Sequence, residues 1–501
     1  MRSGRPKDLG SQPNQSRSLR HQNQGLIPYC KGIQVPGRFH TGLKPAGFDE
    51  ESSKTDSNLA ISDTRPKTRA NLERNSHRAI DTKPSDSTLI RLALPSPNIL
   101  NVMSPFETVT QAPADPILSI TESFKADPNP EKINLSVGVF VNDSGVTPIL
   151  DTVHEAEKIL AETSTTKSYL PITGSPRYAS LTQKLCFGDE LAESLTGKIV
   201  TAQTPGGTGA LRVAADFIES NLKAKSAWLS NPTWANHKGI FSAAGLDTNV
   251  YSYFDSATLR LDYSAFLESI KSIPSGDIVI LHACCHNPTG ADLSPEQWDE
   301  VADIASAKGW LPLLDFAYQG FGLSIEEDAY APRAFAKAGL PLFVCQSFSK
   351  NLGLYRERVG ALHIVVGSEE ESKRVASQVK IAIRTNYSNP PAHGGAIVET
   401  ILGDSQLQTR WTKEVDAMRA RIHEVRRQFV TALANAGVSQ DFSFLIDQKG
   451  MFSFTGLTKE QAIALRTDHS IYIVDSGRIN VAGITSSNLP RLVNVLKEIL
   501  G

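Results

Sequence analysis

Cysteine is scarce in this 501-residue chain, and the five present (Cys30, Cys186, Cys284, Cys285 and Cys345) form no metal-ligand pattern, so no metal is expected. Cys284 and Cys285 sit inside an apolar run, which points to buried free thiols in a reducing compartment. Net charge is nearly absent too. A formal −2 supports neither nucleic acid nor an anionic membrane as partner. No apolar run approaches the ~18 residues that a membrane-spanning helix requires. Internal repeats are absent. What is present, 40% hydrophobic and 21% charged residues, suits a soluble globular protein with a large core.

The small net charge hides an asymmetry. Residues 1–100 carry 16 Lys/Arg against 9 Asp/Glu, a net of +7, leaving −9 for the remainder. The first 48 residues hold one acid, Asp8, and show no sustained period of 2 or 3.6, the pattern of a disordered leader over 1–102. Three readings stay open: an organellar transit segment, a basic interaction tail, or a start assigned too early, with Met103 opening the first segment that looks folded. The third is favoured, which makes cytoplasm the expected compartment and an organellar matrix the alternative. Residues 103–114 then form an N-terminal arm. Met103 to Gly501 is 399 residues, more than one core usually serves, so two domains are expected.

From about 200 to 366, short apolar runs alternate with longer amphipathic ones. Ala227–Leu229, Ile278–Cys284, Leu311–Leu314, Leu342–Cys345 and Ala361–Val366 read as buried strands. In SPEQWDEVADIASAKG, Ser294 is the expected N-cap, Pro295 N1, Gln297 the capping-box partner and Gly309 the stop. Such alternation predicts an α/β fold with a mostly parallel sheet covered on both faces, whose ligands bind beyond the carboxyl ends of the strands. Further on, Trp411, Val415, Met418, Ile422, Val425, Phe429 and Ala432 recur in steps of 4 and 3, predicting one long helix ending near Gly437. TKEQAIALR opens with a second capping box (Thr458, Gln461), IYIV reads as a strand and LPRLVNVLKEIL as a closing helix. The predicted division is a large domain over 148–417 and a smaller α+β domain from 115–147 with 418–501.

Each strand end carries a candidate. GGTGALRVAADFI (206–218) offers bare N–H groups at Gly207, Thr208 and Gly209 for a phosphate, or is simply a tight turn. A dinucleotide fingerprint fails at Arg212, and no Walker A lysine follows. Trp234 in SNPTWANH could stack on a ligand or pack on its own domain. Asn287 in HNPTG could be an amide donor or part of a turn. Asp315 in LLDFAYQG, at the end of a buried strand, needs a cationic partner and could keep a ring nitrogen protonated, unless it caps a helix; Tyr318 follows it. In QSFSKNLGLYRERVG, Ser347 and Arg358 could reach a phosphate, and Lys350, near cations in a desolvated cleft, would be a reactive amine rather than an ordinary solvated charge. Each signal alone is weak. Together they suit an aromatic aldehyde phosphate held by a lysine as a Schiff base, which points to pyridoxal phosphate.

On these motifs, from about Pro105 to Gly501, the sequence resembles the class I aspartate/aromatic-amino-acid aminotransferases, of fold type I among pyridoxal-phosphate enzymes. The resemblance implies that Lys350 binds the cofactor and moves the proton, with Asp315 on the pyridine nitrogen and His237 behind it. It places Trp234 on the ring, and Asn287 and Tyr318 on its phenolic oxygen. The phosphate would lie on Gly207, Thr208, Ser347 and Arg358, with Tyr169 of KSYLPITG reaching in from the other subunit of a homodimer. Arg478 in SGRINVAG would clamp the α-carboxylate, and Arg384 in IRTNYSNPPAHGG, from the neighbouring subunit, the distal one. Gly138 would lie on a segment closing over the substrate, with Asn389 lining the same pocket. Phe140, Gly206 and Ser168 depart from common family residues without removing a catalytic role.

The implied reaction is ping-pong transamination, aspartate plus 2-oxoglutarate giving oxaloacetate plus glutamate. An aromatic-amino-acid aminotransferase is the alternative, since such relatives keep the distal arginine. A decarboxylase or β-lyase would not need both arginines. A DNA-contacting regulator would need a helix-turn-helix, and residues 1–102 show no apolar stripe for one.

Overall fold

A computed structural model of the chain describes residues 104–112 and 118–501. The leader 1–102, Cys30 and part of the expected arm 103–114 lie outside the described residues.

Strands are numbered along the chain: β1 (Ile133–Asn134), β2 (Ile199–Pro205), β3 (Ser226–Asn231), β4 (Asp247–Ser252), β5 (Phe254–Asp255), β6 (Arg260–Leu261), β7 (Ile278–His282), β8 (Leu311–Phe316), β9 (Leu342–Ser347), β10 (Val359–Val365), β11 (Phe452–Phe454), β12 (Ile471–Tyr472) and β13 (Arg478–Asn480). Seven of them form the central sheet in the order β2-β10-β9-β8-β7-β3-β4. All neighbours in it are parallel except those of β10, which runs antiparallel to both β2 and β9. The predicted α/β fold with a mostly parallel sheet is therefore present.

The apolar strand runs have a direct cause. Side chains alternate across a sheet, so Ile278 and Ile280 enter one core while Val279 and Leu281 enter the other. Leu313, Phe343 and Cys345 go with the first pair, and Leu314, Val344 and Phe316 with the second. With both faces buried, nearly every strand position must be apolar. Within this sheet two strands, β2 and β4, carry no such run. β2 is rich in polar residues (Thr201, Gln203 and Thr204, all buried), and β4 is an edge strand with mostly exposed side chains.

Between β7 and β8 the helix Pro295–Lys308 starts on the predicted capping box. Ser294 accepts from the Gln297 N–H, the Gln297 side chain accepts from the Ser294 N–H, and Gly309 ends the helix in the left-handed region (φ 73°). Such a cap is worth about 1 kcal/mol. The long helix spans Ser405–Ala436 and ends at Gly437, as its stripe predicts. Its buried residues from Leu407 to Ile422 join one large core. Val425, Phe429 and Leu433 join a third cluster with Ile133, Leu135, Ile471, Ile479 and Leu492. That cluster lies among β1 paired with β12, β11 paired with β13, and the closing helix Leu489–Leu500. One helix therefore serves two cores. No helix among the described residues is long and apolar enough to cross a membrane.

Candidate active site

The parallel strands all end on one edge of the sheet, and the reversed β10 begins there. The chain following β2, β3, β7, β8 and β9 and the residue preceding β10 therefore meet around one cavity of about 280 Å³. Gly138, Gly207, Thr208, Trp234, Asn287, Asp315, Tyr318, Ser347, Lys350, Arg358 and Arg478 line it, with Leu211, Ala317, Ser349, Tyr355 and Phe452. His237 stands behind this lining, fully buried.

Asp315 lies within β8 on the face of Leu313, so it does not cap a helix. The helix Asn236–Ala243 covers that face and brings His237 Nε2 to 3.0 Å from Asp315 Oδ2. Thr233 bridges onward, its Oγ1 2.8 Å from His237 Nδ1 and 3.1 Å from His282 Nε2. Burial alone would push the Asp315 carboxyl up. The His237 hydrogen bond, with the charges of His237, His282 and Lys350, outweighs it and holds Asp315 below the ordinary carboxylate range. A buried carboxylate is thus kept ionised, facing the cavity.

Lys350 sits in the turn after β9, its Nζ 4.6 Å from the centre of the Tyr318 ring. Burial lowers its amine to about 8, Asp315 opposing the shift and Arg358 adding to it. About a tenth is therefore free amine at pH 7, against less than about a thousandth for an ordinary solvated lysine. Burial also pushes the Tyr318 phenol up, so it stays a proton donor.

At the opposite wall, the helix Gly206–Asn221 begins where β2 ends. A Cβ on Gly206 (φ 72°) would stand 2.6 Å from Arg358 Nη2, so only glycine lets the guanidinium fold over this helix start. Arg358 itself has left-handed backbone (φ 50°), and its Nη1 donates to Ser349 Oγ (3.3 Å) and to the Tyr355 carbonyl (3.2 Å). A guanidinium, two serine hydroxyls and helix-start N–H groups make a donor set for a phosphate.

Arg478, on β13, is buried. Its Nη2 donates to the Ser136 carbonyl (2.6 Å), its Nη1 reaches Asn287 Oδ1 (3.5 Å), and its guanidinium lies 4.2 Å from the Phe452 ring centre. Burial lowers it to about 10, still a cation at neutral pH. Its Nε is buried without a hydrogen bond to the protein, leaving a donor for an anion.

Three expected site residues do not line the cavity of their own chain. Tyr169 is 92% exposed. Arg384, exposed in the last turn of the helix Glu369–Asn386, donates to the Ser388 hydroxyl. Ser388 Oγ donates to Asn389 Oδ1 (3.0 Å), and Asn389 Nδ2 donates to the Leu170 carbonyl (2.8 Å). The three thus belong to one patch, and Asn389 does not share this chain's pocket with Gly138. Conversely, the sequence reading passed over Ser349, Tyr355 and Phe452. The first two lie inside QSFSKNLGLYRERVG, where their proximity to Lys350 was the available signal; for Phe452 there was none. Elsewhere, Cys186, Cys284, Cys285 and Cys345 are buried free thiols. Cys284, Cys285 and Asp328 lie close enough to hold a metal. Burial keeps both thiols protonated, and the Asp328 carboxylate already accepts from Gly320, Gly322 and Leu323 N–H groups.

Known proteins resemble this chain over most of its length. The family model described as aminotransferase class I and II matches residues 130–496. The aspartate aminotransferase of Escherichia coli (strain K12) is 50% identical over 395 residues, 79% of this chain and 100% of that protein. The aromatic-amino-acid aminotransferase of Pseudomonas aeruginosa is 46% identical over 397 residues, 79% of this chain and 99% of that protein. Among solved structures, the aromatic-amino-acid aminotransferase from Burkholderia pseudomallei, covalently bound to pyridoxal phosphate, superposes with a TM-score of 0.77 at 46% identity, covering 80% of this chain and 100% of that one.

Proposed function

The chain belongs to the class I and II aminotransferases, and from that premise we propose that it is a pyridoxal-phosphate-dependent aspartate aminotransferase. It moves an amino group reversibly between aspartate and 2-oxoglutarate, giving oxaloacetate and glutamate. The observation that carries this reading is one cavity joining an amine lowered to about 8, a buried ionised carboxylate and a buried guanidinium with a free donor.

The residues present fit the cofactor. Gly207, Thr208, Ser347, Ser349 and Arg358 would hold its phosphate, Trp234 its ring face, Asn287 and Tyr318 its phenolic oxygen, and Asp315 its ring nitrogen. When bound, pyridoxal phosphate supplies an electron sink for the bonds at the substrate's α-carbon. Lys350 Nζ would hold the cofactor at rest, and its amine would take up and return the proton at the substrate's α-carbon. Asp315, held ionised by His237, would keep the ring nitrogen protonated. Arg478 grips the α-carboxylate as a planar fork and orients the α-carbon toward Lys350. Gly138 gives its segment close passage over the bound substrate.

Recognition of the distal carboxylate calls for a second cation. Arg384, Asn389 and Tyr169 form a patch outside their own cavity, which fits a homodimer in which each chain completes its partner's site. The third cluster supports a smaller domain from 115–147 and 418–501, with a larger one at 148–417. A reducing cytoplasm suits the buried thiols, an organellar matrix being the alternative if 1–102 act as a transit segment.

Aspartate is favoured because the aspartate aminotransferases among the relatives are 48–50% identical for four bacterial proteins, against 42–46% for the aromatic and tyrosine enzymes. The aromatic preference is the second reading, supported by the similar degree of match to those enzymes. The test is the visible spectrum of the full chain with pyridoxal phosphate, before and after aspartate, then phenylalanine. A cofactor band that aspartate converts to the pyridoxamine form, faster than phenylalanine does, supports the assignment. Faster conversion by phenylalanine selects the aromatic reading, and a band unmoved by either overturns both.

A further inference from the structure

Arg426 lies on the long helix Ser405–Ala436, next to Val425, where the helix's buried residues have just passed from the large core to the third cluster, and is 2% exposed. Its Nη1 donates to the Leu445 carbonyl (3.2 Å) and the Ser453 hydroxyl, and its Nη2 donates to the carbonyls of Gly450 (2.7 Å) and Phe452 (3.0 Å). These partners are carbonyl and hydroxyl oxygens rather than a carboxylate. A buried guanidinium without a bonded counter-ion is costly, and an apolar side chain of similar volume would fill the place more cheaply. What an apolar side chain could not do is tie four acceptors of one segment together in a fixed plane.

That segment leads to the cavity. Phe452 opens β11, which pairs with β13 so that Phe452 opposes Asn480 and Phe454 opposes Arg478. The Met451 carbonyl accepts from Val481 N–H (2.8 Å), and Lys449 N–H donates to the Gly290 carbonyl (2.7 Å). The Phe452 ring lies 4.2 Å below the Arg478 guanidinium and 6.2 Å from the Tyr318 ring centre. It approaches Gly138 so closely that a Cβ there would stand 2.6 Å from its Cζ. A shift of the backbone from Gly450 to Ser453 would therefore move the support of Arg478 and the segment of Gly138 together.

We propose that Arg426, which touches no ligand, is a positioning residue for the substrate's α-carboxylate: it holds Gly450–Ser453 so that the Phe452 ring keeps Arg478 in its clamping orientation. The proposal rests on Arg478 being the α-carboxylate site.

The test uses the full-length holoenzyme with Arg426→Met and Arg426→Lys, checked for folding by thermal unfolding. Half-reaction rates are measured with aspartate and with β-alanine, which keeps an amine and the distal carboxylate but has no carboxylate on the amino carbon. Binding of succinate, which carries both carboxylates and no amine, is measured separately by calorimetry. Arg426→Met should lower kcat/KM for aspartate about 30-fold, mostly through KM, because sub-ångström misplacement of an orienting group is felt at that level. Its succinate affinity should fall about tenfold, its β-alanine rate should stay within about twofold, and lysine should recover part of both losses. A parallel fall for aspartate and β-alanine, or no fall for aspartate, overturns the proposal. If Arg426→Met does not fold, Ser453→Ala removes a single acceptor and should cost about threefold with aspartate alone; equal losses on both amines, or none, overturn it. Failure of the underlying reading would be visible in the unmodified chain, as absence of both the aspartate reaction and succinate binding, and the proposal would fall with it.

Discussion

The floor of the cavity and the patch bearing Arg384 contrast in how they are built. On the floor, Asp315 and Ser347 are buried and Lys350 is partly so; His237 of the covering helix holds Asp315, and Ser347 bonds to Ser349 in the turn that carries Lys350. In the patch, Tyr169 is 92% exposed, and Arg384 and Asn389 bond to nearby residues rather than to the floor. The residues proposed for the bond-making chemistry thus come from one chain, because they all leave one edge of one sheet. The groups expected to select the substrate lie where a second chain could present them. On the floor, burial lowers the Lys350 amine to about 8 and raises the Tyr318 phenol, while the His237 bond keeps Asp315 below the ordinary carboxylate range.

The largest effect should come from the floor. Lys350→Ala should reduce kcat by at least about a thousandfold, since it removes both the attachment point and the proton carrier; stopped-flow absorbance of the aspartate half-reaction measures it. The patch should matter less and selectively. Arg384→Ala should lower kcat/KM for aspartate about a hundredfold while leaving phenylalanine within a few-fold, read from steady-state kinetics on both substrates. Mixing these two variants under subunit exchange sharpens the contrast. If sites are shared, half the dimers are hybrids with one intact site, and activity should return to about a quarter of the unmodified level. No recovery would place Arg384 in its own chain's chemistry or outside it altogether.

Proton titration offers a milder probe of the floor. With its amine at about 8, Lys350 in cofactor-free protein is mostly protonated below that pH and mostly free above it. Its rate with an amine-directed reagent, followed by peptide mass spectrometry, should rise about tenfold per pH unit up to about 8 and then level off, where an exposed lysine keeps rising toward its ordinary value near 10.4. Because the Asp315 charge favours the protonated amine, Asp315→Asn should move the plateau to lower pH. The smallest change should follow Tyr169→Phe, a loss of one hydrogen bond to the partner's cofactor phosphate, seen as a few-fold weaker cofactor affinity in a spectroscopic titration.

Much of this architecture was legible in the chain because the relevant forces act over a few residues. The Ser294–Gln297 and Thr458–Gln461 capping boxes form as their spacing predicts, and the stripe from Trp411 marks a helix that stops at Gly437. The runs at β7, β8 and β9 are apolar because both faces are buried, and a motif sits after each. Less legible were β2, whose polar side chains are buried against partners such as His363 and the Pro391 carbonyl, and β4, exposed at an edge. The reversal of β10 was hidden for a different reason: an apolar run carries no sign of direction. Yet that reversal is what returns Arg358 to the edge where the other strands end.

Which residue types stand at the strand ends, where helices begin and stop, and which segments are buried on both sides were determined by the sequence itself, through hydrogen bonds and apolar periods set within a turn or two of chain. The tertiary structure alone decided who meets whom. His237 reaches Asp315 across 78 residues, Arg478 reaches the Ser136 carbonyl across 342, and Arg426 brings one helix under the segment that carries Phe452. Those pairings depend on strand order and direction, which are settled by the packing of whole layers against each other and leave no local mark on the residues that they bring together.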